Sequence, residues 1–178
     1  MTVRGDSFIA SESFRNFRIN GSVFSPDAAT ITFGSSGGLG AFGVVGDGTV
    51  VLTGVNVYGN TEIVAGTVRL GLNSAGGTLG RGAVHIAANA SLVTDRSNSF
   101  LFIDNAISGE GDISANRNSV YLAGDLSQMT GRLNVLGNVA NVQVYLGNHD
   151  FLPNGAPGFE SINITGQNGR NSGVRFNQ

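Results

Sequence analysis

Short runs in which apolar and polar residues alternate recur along the whole chain, and Gly, Asn, Asp or Ser bounds almost every run. Runs of this length and pattern are typical of half-buried strands separated by tight turns. The clearest predicted strands are Phe8–Ala10, Phe17–Asn20, Ala29–Phe33, Val50–Leu52, Glu62–Val64, Val68–Leu70, Val84–Ile86, Leu92–Val93, Phe100–Ile103, Val120–Leu122, Arg132–Val135, Val142–Leu146, Ile162–Ile164 and Val174–Phe176. Helical periodicity is confined to one possible turn at Ser11–Arg15, so the pattern predicts an all-β chain.

The stretch from Gly48 to Gly71 opens and closes on the same phrase, a glycine followed by a short alternating apolar run. Related phrases recur about every 16–20 residues with gaps, a period that indicates stacked coils. The predicted strands are also shorter than the ~5–6 residues usual in globular sheets. Both features favour a single continuous stack of short-strand coils, a β-solenoid whose inward aliphatic side chains are each worth roughly 1.5–3 kcal/mol when buried.

The regularity of the pattern divides the chain into three regions. Residues 1–47 are predicted to be an irregular β cap or the first coils, residues 48–136 hold the recognisable repeats, and residues 137–178 continue as further coils and the C-terminal end. Because an open solenoid end exposes unpaired strand edges, aromatic residues of the first region are candidates for capping one end or for contacting a neighbour. These residues are Phe8, Phe14, Phe17 and Phe24.

Composition narrows the possible partners. Charged residues are 12% of the chain against a usual ~25%, Gly accounts for 28 of 178 residues, and the net charge is −2. The ten cations are dispersed arginines, so there is no basic patch for nucleic acid. The sequence has no Cys, no apolar run long enough to span a membrane and no signal-peptide core near Met1. Either the protein stays inside the cell or the chain is an excerpt whose targeting segments lie elsewhere.

The motif residues of the repeats resemble a known family. The first set is Leu52-Thr53-Gly54, Asn56, Tyr58, Thr61, Ile63 and Gly66-Thr67-Val68-Arg69-Leu70-Gly71, continuing with Leu79-Gly80-Arg81-Gly82-Ala83-Val84-His85-Ile86. The second set is Ile107–Ile113, Val120–Asp125 and Thr130–Val135. Together they are similar to the autotransporter-associated β-strand repeat of bacterial autotransporter passenger domains, and the resemblance covers about residues 48–136.

The resemblance implies a right-handed parallel β-helix at the surface of a Gram-negative bacterium or outside it, with an outer-membrane barrel elsewhere in the full-length parent. Structural roles then fall on the repeat glycines, which are Gly48, Gly54, Gly66, Gly71, Gly82, Gly109, Gly111, Gly124 and Gly131. The repeat carries no implied activity.

Candidate chemistry is sparse. The carboxylates are densest at Asp104, Glu110 and Asp112, where polysaccharide-cleaving β-helices would place a Ca²⁺ site or an acid–base pair; solvated turn residues are the simpler interpretation. His85 is predicted to point outward and His149 to lie in a loop, and two isolated histidines make no metal site. The segment Gly5-Asp6-Ser7-Phe8 lacks the Asp-x-x-His partner that an esterase of the Gly-Asp-Ser-Leu type requires.

These observations lead to one expected function and two alternatives. We expect a non-catalytic extracellular β-helical stem or adhesive segment of a surface-displayed protein, with no cofactor or metal and with a host surface or a polysaccharide as ligand. The first alternative is a self-assembling solenoid subunit that stacks end to end into a fibre. The second is a carbohydrate-binding or carbohydrate-cleaving β-helix.

Overall fold

The computed structural model describes residues 7–9, 16–19, 31–33, 48–74, 76–97, 100–137, 140–147, 158–166 and 170–176. These residues form strands and turns, with no helix among them. The strands are β1 (Ser7–Ile9), β2 (Asn16–Ile19), β3 (Ile31–Phe33), β4 (Thr49–Leu52), β5 (Thr61–Ile63), β6 (Gly66–Ser74), β7 (Val84–Ile86), β8 (Ala90–Arg96), β9 (Leu101–Ile103), β10 (Ile107–Ser108), β11 (Asp112–Arg117), β12 (Val120–Leu122), β13 (Arg132–Gly137), β14 (Val142–Leu146), β15 (Ser161–Gly166) and β16 (Ser172–Phe176).

Three sheets organise the strands. Sheet 1 has the order β1-β3-β5-β7-β10, sheet 2 has β15-β13-β11-β8-β6-β4-β2, and sheet 3 has β16-β14-β12-β9. Every pairing is parallel, and the chain passes from one sheet to the next before it returns to pair with its own earlier strand. We call one such passage a coil. The all-β prediction is confirmed, and the parallel sheets are compatible with the predicted β-solenoid.

The predicted strands agree with the structure wherever its residues are described, and two strands are additional. β10 and β11 were not among the predicted strands because Ile107 and Ile113 are their only large apolar residues. The helical turn predicted at Ser11–Arg15 lies outside the described residues.

The coils are less uniform than the predicted period of about 16–20 residues, which only some of them match. Register partners in sheet 2 are 18 residues apart at Thr49 and Thr67 and 20 apart at Ile113 and Leu133, but 24 apart at Thr67 and Ser91 and 29 apart at Asn134 and Asn163. Parallel pairing continues across these differences, so the extra residues lie outside the paired positions. Turns absorb insertions at little cost because they run over the surface.

Inward side chains form columns that run from coil to coil. One column of sheet 2 consists of Val50, Val68, Leu92, Ile113 and Leu133, all buried. Its next member, Ile162, is 40% exposed in β15, the strand at the edge of the sheet. The core is therefore continuous through the middle coils and ends in exposed apolar residues on the last one.

Close contact between coils explains the glycines at the corners. A Cβ on Gly131 would lie 1.8 Å from the carbonyl oxygen of Gly111, and a Cβ on Gly109 would lie 2.1 Å from that of Ile86. Gly109 also has a positive φ of 111°, a conformation that other residues rarely adopt. The backbones of successive coils thus touch at points where any side chain would force them apart.

Two buried threonines provide a matched test of how the core is held together. Thr94 lies in an inward column between Leu70 and Ala115, and its hydroxyl has no hydrogen-bond partner. Thr61 is equally buried, but its hydroxyl donates to the Tyr58 hydroxyl at 3.3 Å.

We expect Thr94→Val to raise the free energy of unfolding by about 1 kcal/mol, because it replaces an unpaired buried hydroxyl with a methyl group. We expect Thr61→Val to lower it by about 1 kcal/mol, because it removes a buried hydrogen bond. Urea denaturation followed by circular dichroism measures both variants. A destabilised Thr94→Val would contradict this account of the column.

Candidate functional site

The corner after β4 is built around a buried asparagine and a buried tyrosine, both members of the repeat motif. Asn56 is only 4% exposed to solvent. Its side-chain Nδ2 donates a hydrogen bond of 2.6 Å to the Thr78 carbonyl in the next coil. The backbone N–H of Asn56 donates to Thr78 Oγ1 at 2.8 Å. Burial raises the pKa of the Tyr58 phenol, against the lowering effect of hydrogen bonds with Thr61 and Gly80. These two motif residues hold a turn to the turn stacked upon it.

A polar column on the outer face of sheet 1 brings together three residue types that serve in nucleophilic catalysis. Register pairing places Glu62, His85 and Ser108 side by side on β5, β7 and β10. His85 Nδ1 lies 3.3 Å from Ser108 Oγ, and His85 Nε2 lies 3.8 Å from Glu62 Oε1. His85 points outward, as predicted, but these neighbours could not be predicted from the alternating pattern.

The chemistry of this column argues against catalysis. The Glu62–His85 separation exceeds hydrogen-bond length, and both side chains are exposed on a sheet face. An oxyanion hole beside Ser108 would use the following backbone N–H, yet the Gly109 N–H donates to the Gln128 carbonyl at 3.0 Å. Glu62, His85 and Ser108 therefore form an outward polar ladder between coils.

The predicted carboxylate cluster is divided by the fold. Glu110 and Asp112 line a groove of about 660 Å³ together with Arg132 and Glu160, whereas Asp104 lies in a different recess. Arg132 Nε donates to Asp112 Oδ1 at 3.1 Å, and this hydrogen bond raises the pKa of the guanidinium.

Burial is what usually keeps a catalytic carboxylic acid protonated at neutral pH. Glu110 and Glu160 are both exposed in this groove, and Asp112 is occupied by Arg132. The geometry thus supplies no argument for an acid–base pair, and the non-catalytic interpretation stays a prediction. Among the described residues, no three His, Cys, Asp or Glu side chains are placed to hold a metal ion.

The buried carboxylate of Asp95, near the end of strand β8 in sheet 2, joins three successive coils. The Asp95 side chain is 3% exposed and contacts Arg69 Nη2 from the coil before it. Arg117 Nε, from the coil after it, lies 2.8 Å from Asp95 Oδ1. Partial burial lowers the pKa of the neighbouring Arg96. Sequence reasoning missed the cluster, because its members are 26 residues apart at Arg69 and Asp95.

An aromatic column lies on the outer face of sheet 3. Phe102, Tyr121 and Tyr145 are register partners on β9, β12 and β14. Phe102 stacks on Tyr121 with ring centroids 4.6 Å apart, and Tyr121 stacks on Tyr145 at 4.3 Å. Phe100 meets Tyr121 edge to face at 5.4 Å. The sequence showed the three strands, but the column exists only through their register.

The residues predicted to cap one end are only partly described. Phe8 lies on β1 and Phe17 on β2, at the start of the stack, while Phe14 and Phe24 lie outside the described residues. His149 also lies outside them. The proposed capping role of the four phenylalanines stays a prediction.

The predicted repeat glycines fall at corners and strand ends. A Cβ would lie 2.2 Å from the nearest neighbouring-coil atom at Gly82, 2.3 Å at Gly111, 1.9 Å at Gly124 and 2.8 Å at Gly71, and Gly66 and Gly71 have positive φ. The structural role of Gly48 and Gly54 stays a prediction.

Comparison with known protein families, with curated proteins and with solved structures finds no match to this chain. The resemblance to autotransporter passenger repeats therefore rests on the motif residues alone. Within the described residues, no helix is long and apolar enough to cross a membrane.

The burial of Asp95 predicts that it contributes much more to the free energy of unfolding than the more exposed Asp112 does. Asp95→Asn leaves two arginines around a neutral, largely dehydrated amide, and we expect it to lower the free energy of unfolding by about 3 kcal/mol. The matched control is Asp112→Asn, which removes the more exposed pair with Arg132 and should cost far less. Chemical denaturation of both variants measures the two losses in free energy of unfolding. Equal losses would show that Asp95 contributes no more than a surface ion pair does.

Proposed function

We propose that this chain is a non-catalytic stem or adhesive segment of a surface-displayed bacterial protein, folded as a right-handed parallel β-helix. The observation that carries the proposal is the uninterrupted column of buried aliphatic residues through the described coils of sheet 2. A stack of this kind yields length and a large lateral surface from a repeated unit. Seven strands in sheet 2 correspond to roughly 30 Å of axis at the usual strand spacing.

Lateral contacts between coils support the proposed role as a stem. Thr67 and Ser91 share a hydrogen bond of 2.9 Å across two coils, and Asn163 Nδ2 donates to Asn134 Oδ1 at 3.0 Å. These ladders need no charge, which agrees with the low charged fraction of the chain. Extracellular location and an outer-membrane barrel in the full-length parent are part of the proposal and derive from the motif resemblance.

Surface display is tested by placing the chain between a signal peptide and an outer-membrane barrel in a Gram-negative bacterium. We expect protease added to intact cells to reach the chain and to leave a resistant folded core. Gly131→Val, whose side chain collides with the Gly111 carbonyl, should reduce the displayed amount at least twofold, since a chain that cannot stack is not drawn outward by folding.

The control is Ser91→Ala, which removes one lateral hydrogen bond but no core contact and should be displayed like the unmodified chain. Retention of the unmodified chain inside the cell, while another passenger on the same barrel reaches the surface, would refute the proposal.

A second candidate function, end-to-end assembly, is favoured by the last coil. Ile162 and Ile164 of β15 and Phe176 of β16 continue the inward columns but are 40%, 51% and 55% exposed. β15 and β16 are edge strands, with unpaired backbone groups of the kind that template another chain. Because β2 is the opposite edge of sheet 2, head-to-tail pairing would be heterologous and would extend without closing.

Assembly is tested by sedimentation and electron microscopy over a range of protein concentrations. We expect the unmodified chain to form concentration-dependent rods and Ile164→Glu to sediment as a monomer. Val55→Glu is the matched control, because Val55 is an equally exposed aliphatic residue away from the last coil, and it should assemble normally. Dispersed monomers of the unmodified chain at high concentration would eliminate this candidate.

A further inference from the structure

The aromatic column of sheet 3 ends in a ring with one open face. Tyr121 covers one face of Phe102, since the two rings stack at 4.6 Å and are inclined by only 12°. β9 is the terminal strand of sheet 3, so no strand of that sheet lies against the other face. Phe102 is accordingly 61% exposed, while the stack on Tyr121 fixes the orientation of its ring.

A recess of about 300 Å³ is lined by Phe102 and by Asp104 and Asn105, which follow β9. In the preceding coil, the turn Thr78–Arg81 forms another wall of the recess. That turn is held from both directions: the Arg81 N–H donates to the Tyr58 carbonyl at 2.8 Å, and Asn105 Nδ2 donates to the Gly80 carbonyl at 2.9 Å. The wall is therefore preformed, and the volume is at the lower end of ligand pockets, about 300–1,000 Å³.

Two exposed charged side chains of opposite sign complete the lining. Arg81 comes from the turn and Asp104 follows β9, and neither charged group makes a side-chain hydrogen bond or ion pair with another described residue. A guanidinium offers five donors and a carboxylate only acceptors. Together they suit a ligand whose groups both accept and donate hydrogen bonds, and their charges cancel within the recess.

We infer that this recess binds a neutral pyranose unit of a glycan, with the C–H face of the sugar stacked on Phe102. The negative face of an aromatic ring attracts the weakly positive C–H groups of a sugar. Sugar hydroxyls donate to Asp104 and accept from Arg81. A phosphorylated or nucleotide ligand fits less well, because the attraction of Arg81 for its charge is offset by the repulsion of Asp104. The inference deepens the proposed function, since it would make the segment adhesive.

Titration of the ¹⁵N-labelled chain with methyl β-glucoside, methyl β-galactoside and methyl α-mannoside, followed by NMR, tests the inference. We expect shifts of the Arg81 and Asp104 amides with at least one of these sugars, at a dissociation constant on the order of 1 mM, as befits a small ligand. Absence of shifts with all three sugars well above that concentration would overturn the inference.

Variants locate the contact. We expect Phe102→Ala to weaken binding at least tenfold and Phe102→Tyr to retain it. Phe100→Ala is the matched control, because Phe100 is 49% exposed and contacts Tyr121 but does not line the recess, and it should bind within twofold of the unmodified chain. Unchanged binding by Phe102→Ala would overturn the assigned site.

Charge provides a separate check on the class of ligand. We expect Asp104→Ala and Arg81→Ala each to weaken binding about fivefold. Methyl β-glucuronide should bind no more tightly than methyl β-glucoside, because the attraction of Arg81 for its carboxylate is offset by the repulsion of Asp104. Tighter binding of the glucuronide would overturn the assignment to neutral sugars. These measurements use the purified chain, so their failure is distinct from a failure of surface display on cells.

Discussion

Parallel pairing of each coil with the next, in register and at one strand spacing, is the constraint on which the other features depend. The spacing of about 4.8 Å sets the distance between stacked rings, which are 4.3 and 4.6 Å apart in the aromatic column. It also brings the backbones of successive coils so close that Gly109 and Gly131 admit no Cβ. Each residue on a strand lies beside its register partners in the adjacent coils, so side chains form columns along the stack.

This constraint explains which parts of the structure could be predicted from the sequence. The alternation at Val84-His85-Ile86 and Val120-Tyr121-Leu122 shows which residues are inward, because inward and outward positions alternate whatever the neighbours are. β11 was harder to predict, because Asp112–Arg117 contains a single large apolar residue and is held by strands on both sides. The variation in coil length could not be predicted, since insertions between strands leave the alternating pattern unchanged.

Side-chain clusters were beyond prediction for a different reason. Arg69 and Asp95 are distant along the chain, and only the register of β6 and β8 makes them neighbours. The same holds for His85 and Ser108, which are 23 residues apart. A pattern within one strand contains no information on register when the intervening turns vary in length. Asn56 was recognised as a motif residue, but its partner Thr78 is 22 residues away and was equally beyond prediction.

The buried carboxylate has a mechanical consequence. A stack pulled from one end separates by peeling, because each coil contacts mainly its neighbours and yields before the next is loaded. Asp95 interrupts this sequence, since it binds Arg69 in one adjacent coil and Arg117 in the other. The three coils must then yield together, so peeling from either end would be halted when it reaches them.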